Sequence, residues 1–573
     1  MAVTETAPEK ATAGQTPVQE PSAARSAHEG ILRRQSARES AARTYARALP
    51  IVPVRARGLT IEGADGRRYL DCLSGAGTLA LGHNHPVVLE AIRKVLDSGA
   101  PLQALDLATP VKDAFITELF HTLPPGLADH ARVQFCGPAG TDAVEAAFKL
   151  VRASTGRSEL LAFAGAYHGM TSGALEASGH APDVRVARLP YPQDYRCPFG
   201  VGGPQGAELA ARWTESVLDD PKSGVPLPAG MILEPVQGEG GVFPAPDDWM
   251  RRMRQITADR SIPLIADEVQ TGVGRTGTFW AVEHSGITPD VMVLSKAIGG
   301  SLPLAVVVYR DDLDVWEPGA HAGTFRGNQL AMAAGTATMT YVRENALTER
   351  AATLGARILN QLRVLAGEFP VIGDVRGRGL MIGVEMVEPE GWGVGGGGAV
   401  GDSVGLRGTA GLFGGGGLGS RGEGGWGVGG VGSPGRGGGA GGVGVPVGGV
   451  GVGVGGRAGG PDGGDAVGGV EGVALPGSVG TSRPVLPRPA SPTLAAAVQR
   501  ECLRRGLIVE LGGRHSSVVR LLPPLTITDE QAAAVLDRLT DAVAAVARDH
   551  DAGGGKPQPR RRRSGGEGVG WVG

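Results

Sequence analysis

Residues 262–303 read IPLIADEVQTGVGRTGTFWAVEHSGITPDVMVLSKAIGGSLP. Two runs in this stretch, PLIADEV and VMVLS, are short, apolar and bounded by breakers. Runs that are apolar throughout, rather than alternating, are the pattern of strands covered on both faces. The first run reaches Asp267 where its apolar stretch PLIA stops, and the second leads into Lys296. A carboxylate at the end of so apolar a strand is costly unless a cation pairs with it. An amine at the carboxyl edge of a sheet stands where α/β folds bind ligands. Burial there would lower its pKa and favour the neutral nucleophile. Singly, each residue has a plainer reading: Lys296 as a surface lysine, and Asp267 or Glu268 as the cap of a turn. Together they suggest a site.

Working outward, LLAFA, MILEPV and LAVVVY are further short apolar runs, and Val133-Gln134-Phe135 is another. Helical patterns alternate with them. One spans Gly140 to Ala153, with Val144, Ala147, Phe148 and Val151 on one face. Such alternation predicts an α/β domain with parallel strands, at about residues 86–345. From Gly327 to about Gly367 the pattern is helical, and VIGDVRGRGLMIGVEMV reads as strands. Before the sheet region, a helix is expected from about Gly30 to Ala48, stopping ahead of Pro50. LTIEGADGRRYLDCLSG reads as two strands turned at Asp65-Gly66. Residues 29–85 would then be the first part of a smaller lobe.

Glycine accounts for 97 of the 573 residues, and most of the excess lies between Gly391 and about Gly480. That block has no glycine at every third position, so it is not collagen-like, and it holds too few large side chains for a core. It is expected to be a low-complexity insertion, at 391–489. The second part of the smaller lobe would comprise 346–390 and 490–548. There the helix LAAAVQRECLRRG, the strands LIVEL and VVRLL, and a last helix from about Asp529 to Ala547 are expected. Residues 1–28 are rich in Ala, Thr, Pro and Glu and read as a disordered tail. Residues 549–573 end in a basic tail, and Arg560 to Arg563 read as a solvated run rather than a nucleic-acid contact.

The net charge of -3 gives no footprint for nucleic acid. No apolar run reaches the roughly 18 residues of a membrane span, and the first residues do not read as a signal peptide. Cys72, Cys136, Cys197 and Cys502 form no CxxC pair, which fits a reducing cytoplasm.

Other segments could bind a ligand. Gly137-Pro138-Ala139-Gly140-Thr141 follows a short strand and opens a helix, so its amides and the Thr141 hydroxyl suit a phosphate. The plainer reading is a glycine-rich loop with a Thr cap. It is not a nucleotide P-loop. Tyr167-His168-Gly169 follows LLAFA, where an aromatic could stack on a flat ring or simply pack in the core. His83 and His85 in GHNHP have no acidic or cysteine neighbour in sequence, so a turn is expected there and no metal. Glu239 and Arg520 each border a strand, and nothing in the sequence pairs them.

Taken together, FCGPAGTDAVEAAFKLVR, AYHGMT, ILEPVQGEGGV, IADEVQTGVGRTG, LSKAIGGSLPLAVVVY and HAGTFRGNQLA resemble the class III aminotransferases, in order and spacing. The resemblance covers about residues 30–390 and 490–547. It implies pyridoxal-phosphate fold type I: a large, mostly parallel seven-stranded sheet domain with a smaller α+β domain. It implies pyridoxal 5'-phosphate as cofactor, joined to Lys296 as a Schiff base, with Asp267 on the ring nitrogen. Gln270 would face the phenolic oxygen, Tyr167 and His168 would flank the ring, and Gly140 and Thr141 would hold the phosphate. Thr324 would reach the phosphate of a neighbouring subunit, implying a homodimer with shared sites. Glu239 and Arg520 would form a gate, closed for an amine donor and open for a dicarboxylate keto acid.

One position departs from part of the family. Where ornithine and 4-aminobutyrate aminotransferases carry an Arg after the aromatic-X-Gly step, this chain has Met170. The strings CGPAGTDAVEAA, YHGMTSGALEASG and IVELGGRHSSVVRLLPPLTIT resemble instead the diaminobutyrate–2-oxoglutarate group. That resemblance implies exchange of the 4-amino group between L-2,4-diaminobutyrate and 2-oxoglutarate, giving L-aspartate 4-semialdehyde and L-glutamate. The competing expectations are an ω-aminotransferase for ornithine, 4-aminobutyrate or a diamine, and an inactive binding protein of the same fold.

Overall fold

The computed structural model describes residues 21–179, 186–389 and 487–552. Its centre is a seven-stranded sheet built from β1 (Ala131–Phe135), β2 (Leu160–Phe163), β3 (Val186–Leu189), β4 (Gly230–Leu233), β5 (Leu264–Asp267), β6 (Val291–Leu294) and β7 (Val306–Arg310). Their spatial order is β1-β7-β6-β5-β4-β2-β3. The pairs among β6, β5, β4, β2 and β3 are parallel, whereas β7 is antiparallel to both β6 and β1. The run LAVVVY is thus a buried strand, as expected, but of opposite direction. Only residues 295–305 link it to β6. A parallel return needs a crossover of about a dozen residues or more.

Helix α1 (Gly140–Thr155) buries Val144, Ala147, Phe148 and Val151 completely, against Val291, Val293 and Val307 of the sheet. Each of the valine and phenylalanine side chains contributes about 1.5–3 kcal/mol by leaving water. The strand β3 was not among the expected runs. Its VARL sequence alternates too little to stand out, and its pairing with β2 is what makes it a strand.

Two smaller four-stranded sheets flank this core. One pairs β8 (Ile372–Arg378), β9 (Met381–Met386), β10 (Glu510–Gly512) and β11 (Val518–Leu521) in the order β8-β9-β11-β10. The other joins Pro53–Arg57, Thr60–Gly63 and Arg68–Asp71 to Leu507–Ile508, which lies parallel to Arg68–Asp71. The expected single strand LIVEL is therefore two short strands in different sheets, separated at Val509.

Two helical expectations also change. The N-terminal helix runs from Pro21 to Arg38, starting within the segment expected to be disordered, and a separate turn spans Tyr45–Ala48. Between them the Ser40 hydroxyl accepts the Ala42 amide at 3.1 Å, a local bond that competes with helix continuation. The helical stretch after Gly327 is two helices, α2 (Gln329–Glu344) and α3 (Leu347–Glu368), divided where Ala346 adopts φ +49°. The final helix continues to Ala552, past the expected start of the basic tail. Residues 1–20, 553–573 and the glycine-rich segment up to position 486 lie outside the described residues. The chain on either side of that segment is tied together: the Glu388 amide donates to the Pro489 carbonyl at 2.9 Å, and Val387 bridges Ala490.

Candidate active site

Register decides which residues meet. Asp267 of β5 lies opposite Val293 of β6, so the carboxyl ends of both strands open at one edge, with Lys296 just beyond β6. Asp267 is 5% exposed, and its Oδ2 lies 2.7 Å from His168 Nδ1. Its Oδ1 accepts the Val269 amide at 3.1 Å. His168 is buried in the loop after β2, where its backbone amide donates to Ser178 Oγ at 2.8 Å. Burial pulls the His168 pKa down, but the bond to and charge of Asp267 outweigh it and the net shift is upward. The far ring nitrogen, Nε2, has no hydrogen-bond partner.

Lys296 opens a short 3-10 turn, Lys296–Gly299, with φ +50°. A lysine in the left-handed region costs about 1–2 kcal/mol, held here by packing and by the Ser295 hydroxyl, which donates to the Leu304 carbonyl at 2.8 Å. Burial lowers the amine's pKa; Asp267 pulls against that, and Arg520 adds to the lowering. The charges of Asp267 and Lys296 thus act on each other across one site. The neighbouring Glu268 faces inward instead, accepting the Thr271 hydroxyl and the Val282 amide. The turn-capping role considered for either acid therefore falls mainly to Glu268.

The Gly137–Thr141 loop forms a tight concavity. A Cβ on Gly140 would stand 3.1 Å from Val269, and one on Gly169 would meet Thr141 Oγ1 at 2.4 Å. Thr141 Oγ1 also pairs with Thr171 Oγ1 at 2.6 Å. Tyr167 stands at the rim, 41% exposed, with its amide donating to Glu234 Oε1 at 2.9 Å. Gln270 donates from Nε2 to the Ala76 carbonyl at 2.9 Å, so the loop at Gly75–Gly77 closes over this edge. Thr324 is placed apart, on an exposed loop, with its carbonyl taken by Gln103. His83 pairs with Asp71 at 2.8 Å, an acid that sequence spacing did not bring near it.

Arg520 and Glu239 meet. Arg520 Nη2 lies 2.5 Å from Glu239 Oε2; the arginine side chain is 1% exposed and the glutamate 49%. The loop carrying Glu239 is pinned by Arg376, whose Nε donates to the Gly241 carbonyl at 2.8 Å.

Three groups escaped sequence reasoning. Glu510 lies 2.6 Å from Arg520 Nη2 and accepts the Tyr45 hydroxyl at 2.7 Å. Glu234 takes the Tyr167 and Gly238 amides, and burial raises its pKa to about 7. The only available signal for Glu234 and Glu510 was their position in the quoted strings ILEPVQGEGGV and IVELGGRHSSVVRLLPPLTIT; for Tyr45 there was none, because its partner lies far along the chain.

These residues fit a flat, anionic cofactor. The buried acid offers a partner to a ring cation, the amine beside it is kept toward neutrality, and the glycine loop leaves room for a phosphate at a helix start. A family model for class III aminotransferases matches residues 41–393. The chain belongs to the class III aminotransferases.

As such a transaminase it is 46% identical over 523 residues to the diaminobutyrate–2-oxoglutarate aminotransferase of Rhizobium meliloti, spanning 90% of this chain and 92% of the relative. The enzyme of the same name from Haemophilus influenzae is 48% identical over 383 residues, 65% and 83% of the two chains. Among solved structures, a PLP-bound amine transaminase from an uncultivated Pseudomonas species superposes with a TM-score of 0.65 and 25% identity, over 89% of this chain and 98% of that one. An (S)-selective ω-transaminase from Thermomicrobium roseum shares the fold, with a TM-score of 0.67 at 23% identity, over 90% and 98%.

Proposed function

We propose that this chain is a pyridoxal-phosphate enzyme that moves the 4-amino group between L-2,4-diaminobutyrate and 2-oxoglutarate, giving L-aspartate 4-semialdehyde and L-glutamate. The observation that carries the reading is the gated arginine beside the Asp267–Lys296 pair. Arg520, buried and shared with Glu239, suits an enzyme whose second substrate has a carboxylate on the reacting carbon and whose first does not. The choice of donor is supported by the names of the relatives and by Met170 standing where an arginine would hold an ornithine or 4-aminobutyrate carboxylate.

Pyridoxal phosphate, when bound, would supply an electron sink for the carbanion and an aldehyde able to hold the amino group. The protein's own residues do the rest. Asp267 would hold a proton on the ring nitrogen, and His168 fixes the orientation of that carboxylate. Lys296, its pKa lowered by burial, takes a proton from the substrate carbon and returns one. Gly140 and Thr141 would hold the phosphate, Tyr167 would cover the ring, and Gln270 would serve the phenolic oxygen. With the amine donor, Glu239 occupies Arg520; with the keto acid, Glu239 withdraws and the guanidinium takes the carboxylate next to the reacting carbon.

We read the active form as a homodimer in which Thr324 serves the neighbouring site. Phe325 (69% exposed) and Leu107 (67% exposed) stand on the same surface region, whose loops Arg326 and Asp106 join at 2.9 Å. Exposed apolar side chains of this size mark contact surfaces. No helix among the described residues is long and apolar enough to cross a membrane, and four free cysteines fit a cytoplasmic setting. The test is a donor panel with 2-oxoglutarate, scored by glutamate formed. Diaminobutyrate should exceed ornithine, 4-aminobutyrate and simple diamines in kcat/KM by at least about tenfold. Faster turnover of ornithine would reassign the donor.

A further inference from the structure

Arg514 lies in the tight turn that joins β10 to β11, where the Ser516 amide donates to the Gly513 carbonyl at 2.9 Å. The Gly513 amide donates to the Glu239 carbonyl at 2.8 Å, which sets this turn against the loop that bears Glu239. From there the arginine crosses to the loop after β2, and its Nη2 donates to the Ala164 carbonyl at 3.0 Å. Gly165, at φ +87°, has no side chain to crowd it: a Cβ there would stand 3.0 Å from Nη2 and 3.1 Å from Nε. The guanidinium is thus seated two residues before Tyr167, at the rim of the site, and Arg514 remains exposed. In the neighbouring sheet Arg376 and Arg520 each pair with two acids. Among the described residues Arg514 has no ion pair, and its hydrogen bond is to that carbonyl alone. Met170, 69% exposed and three residues beyond Tyr167, brings no charge to this edge.

Both substrates of the proposed reaction carry a carboxylate three bonds from the carbon that exchanges its amino group. In diaminobutyrate it is the amino-acid carboxylate; in 2-oxoglutarate it is the one remote from the keto group. The carboxylate on the reacting carbon belongs to the keto acid alone, and Arg520, for which Glu239 competes, suits a group that comes and goes. A carboxylate present in both half-reactions calls instead for a cation with no competing acid. We propose, resting on that reading of the reaction, that Arg514 binds the carboxylate the two substrates share, with the donors that the Ala164 bond leaves free. A planar fork of N–H groups matches a carboxylate in two bonds at once. The bond to Ala164 holds the fork before substrate arrives, so less freedom is lost on binding. One residue then sets the distance from carboxylate to reacting carbon in both directions, and so selects substrates by length and charge.

The test uses the holoenzyme of wild type, Arg514→Gln and Arg514→Lys, with each half-reaction followed separately by the absorbance of the cofactor. The probes come in pairs. 1,3-Diaminopropane is diaminobutyrate without its carboxylate, and 2-oxopentanoate is 2-oxoglutarate with a methyl group in place of the remote carboxylate. Arg514→Gln should lower kcat/KM for both diaminobutyrate and 2-oxoglutarate by about 10–100-fold, as expected for a lost hydrogen bond between charged groups. With 1,3-diaminopropane and 2-oxopentanoate it should not fall by more than about twofold. Arg514→Lys, which keeps the charge and loses the fork, should lie between, and it decides the matter if Arg514→Gln does not fold. Equal losses with all four compounds would overturn the proposal, since the bond to Ala164 would then be only a staple of the turn. Losses confined to the two keto acids would overturn it too, by making Arg514 the resting place of Glu239 when the gate opens. Unchanged rates with every compound would do the same. If wild type uses ornithine faster than diaminobutyrate, the donor reading fails instead, and the pair of keto acids still tests Arg514.

Discussion

On the proposed reading, Lys296 and Asp267 divide the chemistry between an amine kept toward neutrality and an acid kept in a buried bond. The two changes that separate their roles are Lys296→Ala and Asp267→Asn. The first should abolish the visible absorbance band that pyridoxal phosphate gives when joined to a lysine, and lower turnover by about a thousandfold or more. The second keeps the size of the side chain and its place beside His168, so cofactor binding should persist. It removes the charge that holds a proton on the ring, and turnover should fall by about 10²–10⁴-fold. Spectra and half-reaction rates of both variants check this. A wild-type rate in Asp267→Asn would remove the acid from the mechanism.

At the scale of the element, the turn after β5 depends on an inward-facing acid. Glu268 is buried, accepting the Thr271 hydroxyl and the Val282 amide, and burial raises its pKa from 4.5 to about 7. The folded protein therefore binds a proton here more tightly than the unfolded chain does. Stability from this group is fully present below about pH 4.5 and is lost as pH rises through about 7. Over that window the loss should be on the order of 3 kcal/mol. Melting of the cofactor-free protein should show it. The stability of wild type relative to Glu268→Gln should decline from pH 4.5 to pH 8, because the amide does not titrate. A constant difference across that range would mean that Glu268 is ionised throughout.

For the whole molecule, the question is whether the glycine-rich segment matters to the fold. The chain is already anchored on both sides of it. The Val387–Ala490 bridge closes the gap, and Arg488 donates to the Ile372 carbonyl at 2.6 Å while its amide donates to the Tyr195 hydroxyl at 3.1 Å. The entropy of closing a loop grows only with the logarithm of its length, about 0.6 kcal/mol per doubling. Deleting Gly391–Gly480 should therefore leave turnover within about twofold and the melting temperature within a few degrees. Loss of all activity would show that the segment has a structural part. The smaller antiparallel sheet depends on this anchoring, since β9 precedes the segment and its neighbour β11 follows it.

The sequence by itself determined six of the seven strands of the central sheet, the edge where Asp267 and Lys296 emerge, and the family. Each of these follows from local pattern: unbroken apolar runs, breakers at their ends, and motifs read in order. It did not reveal β3, the reversal of β7, or the division of LIVEL between two sheets, because direction and pairing are properties of neighbours. That division is what sets Glu510 opposite Arg520. Likewise, His168 reaches Asp267 across 99 positions and Arg520 reaches Glu239 across 281. Such pairs are decided by strand register and loop closure, which join residues that no short-range periodicity connects. Local physics specifies elements and their chemical ends; only packing decides which charged groups share a buried space.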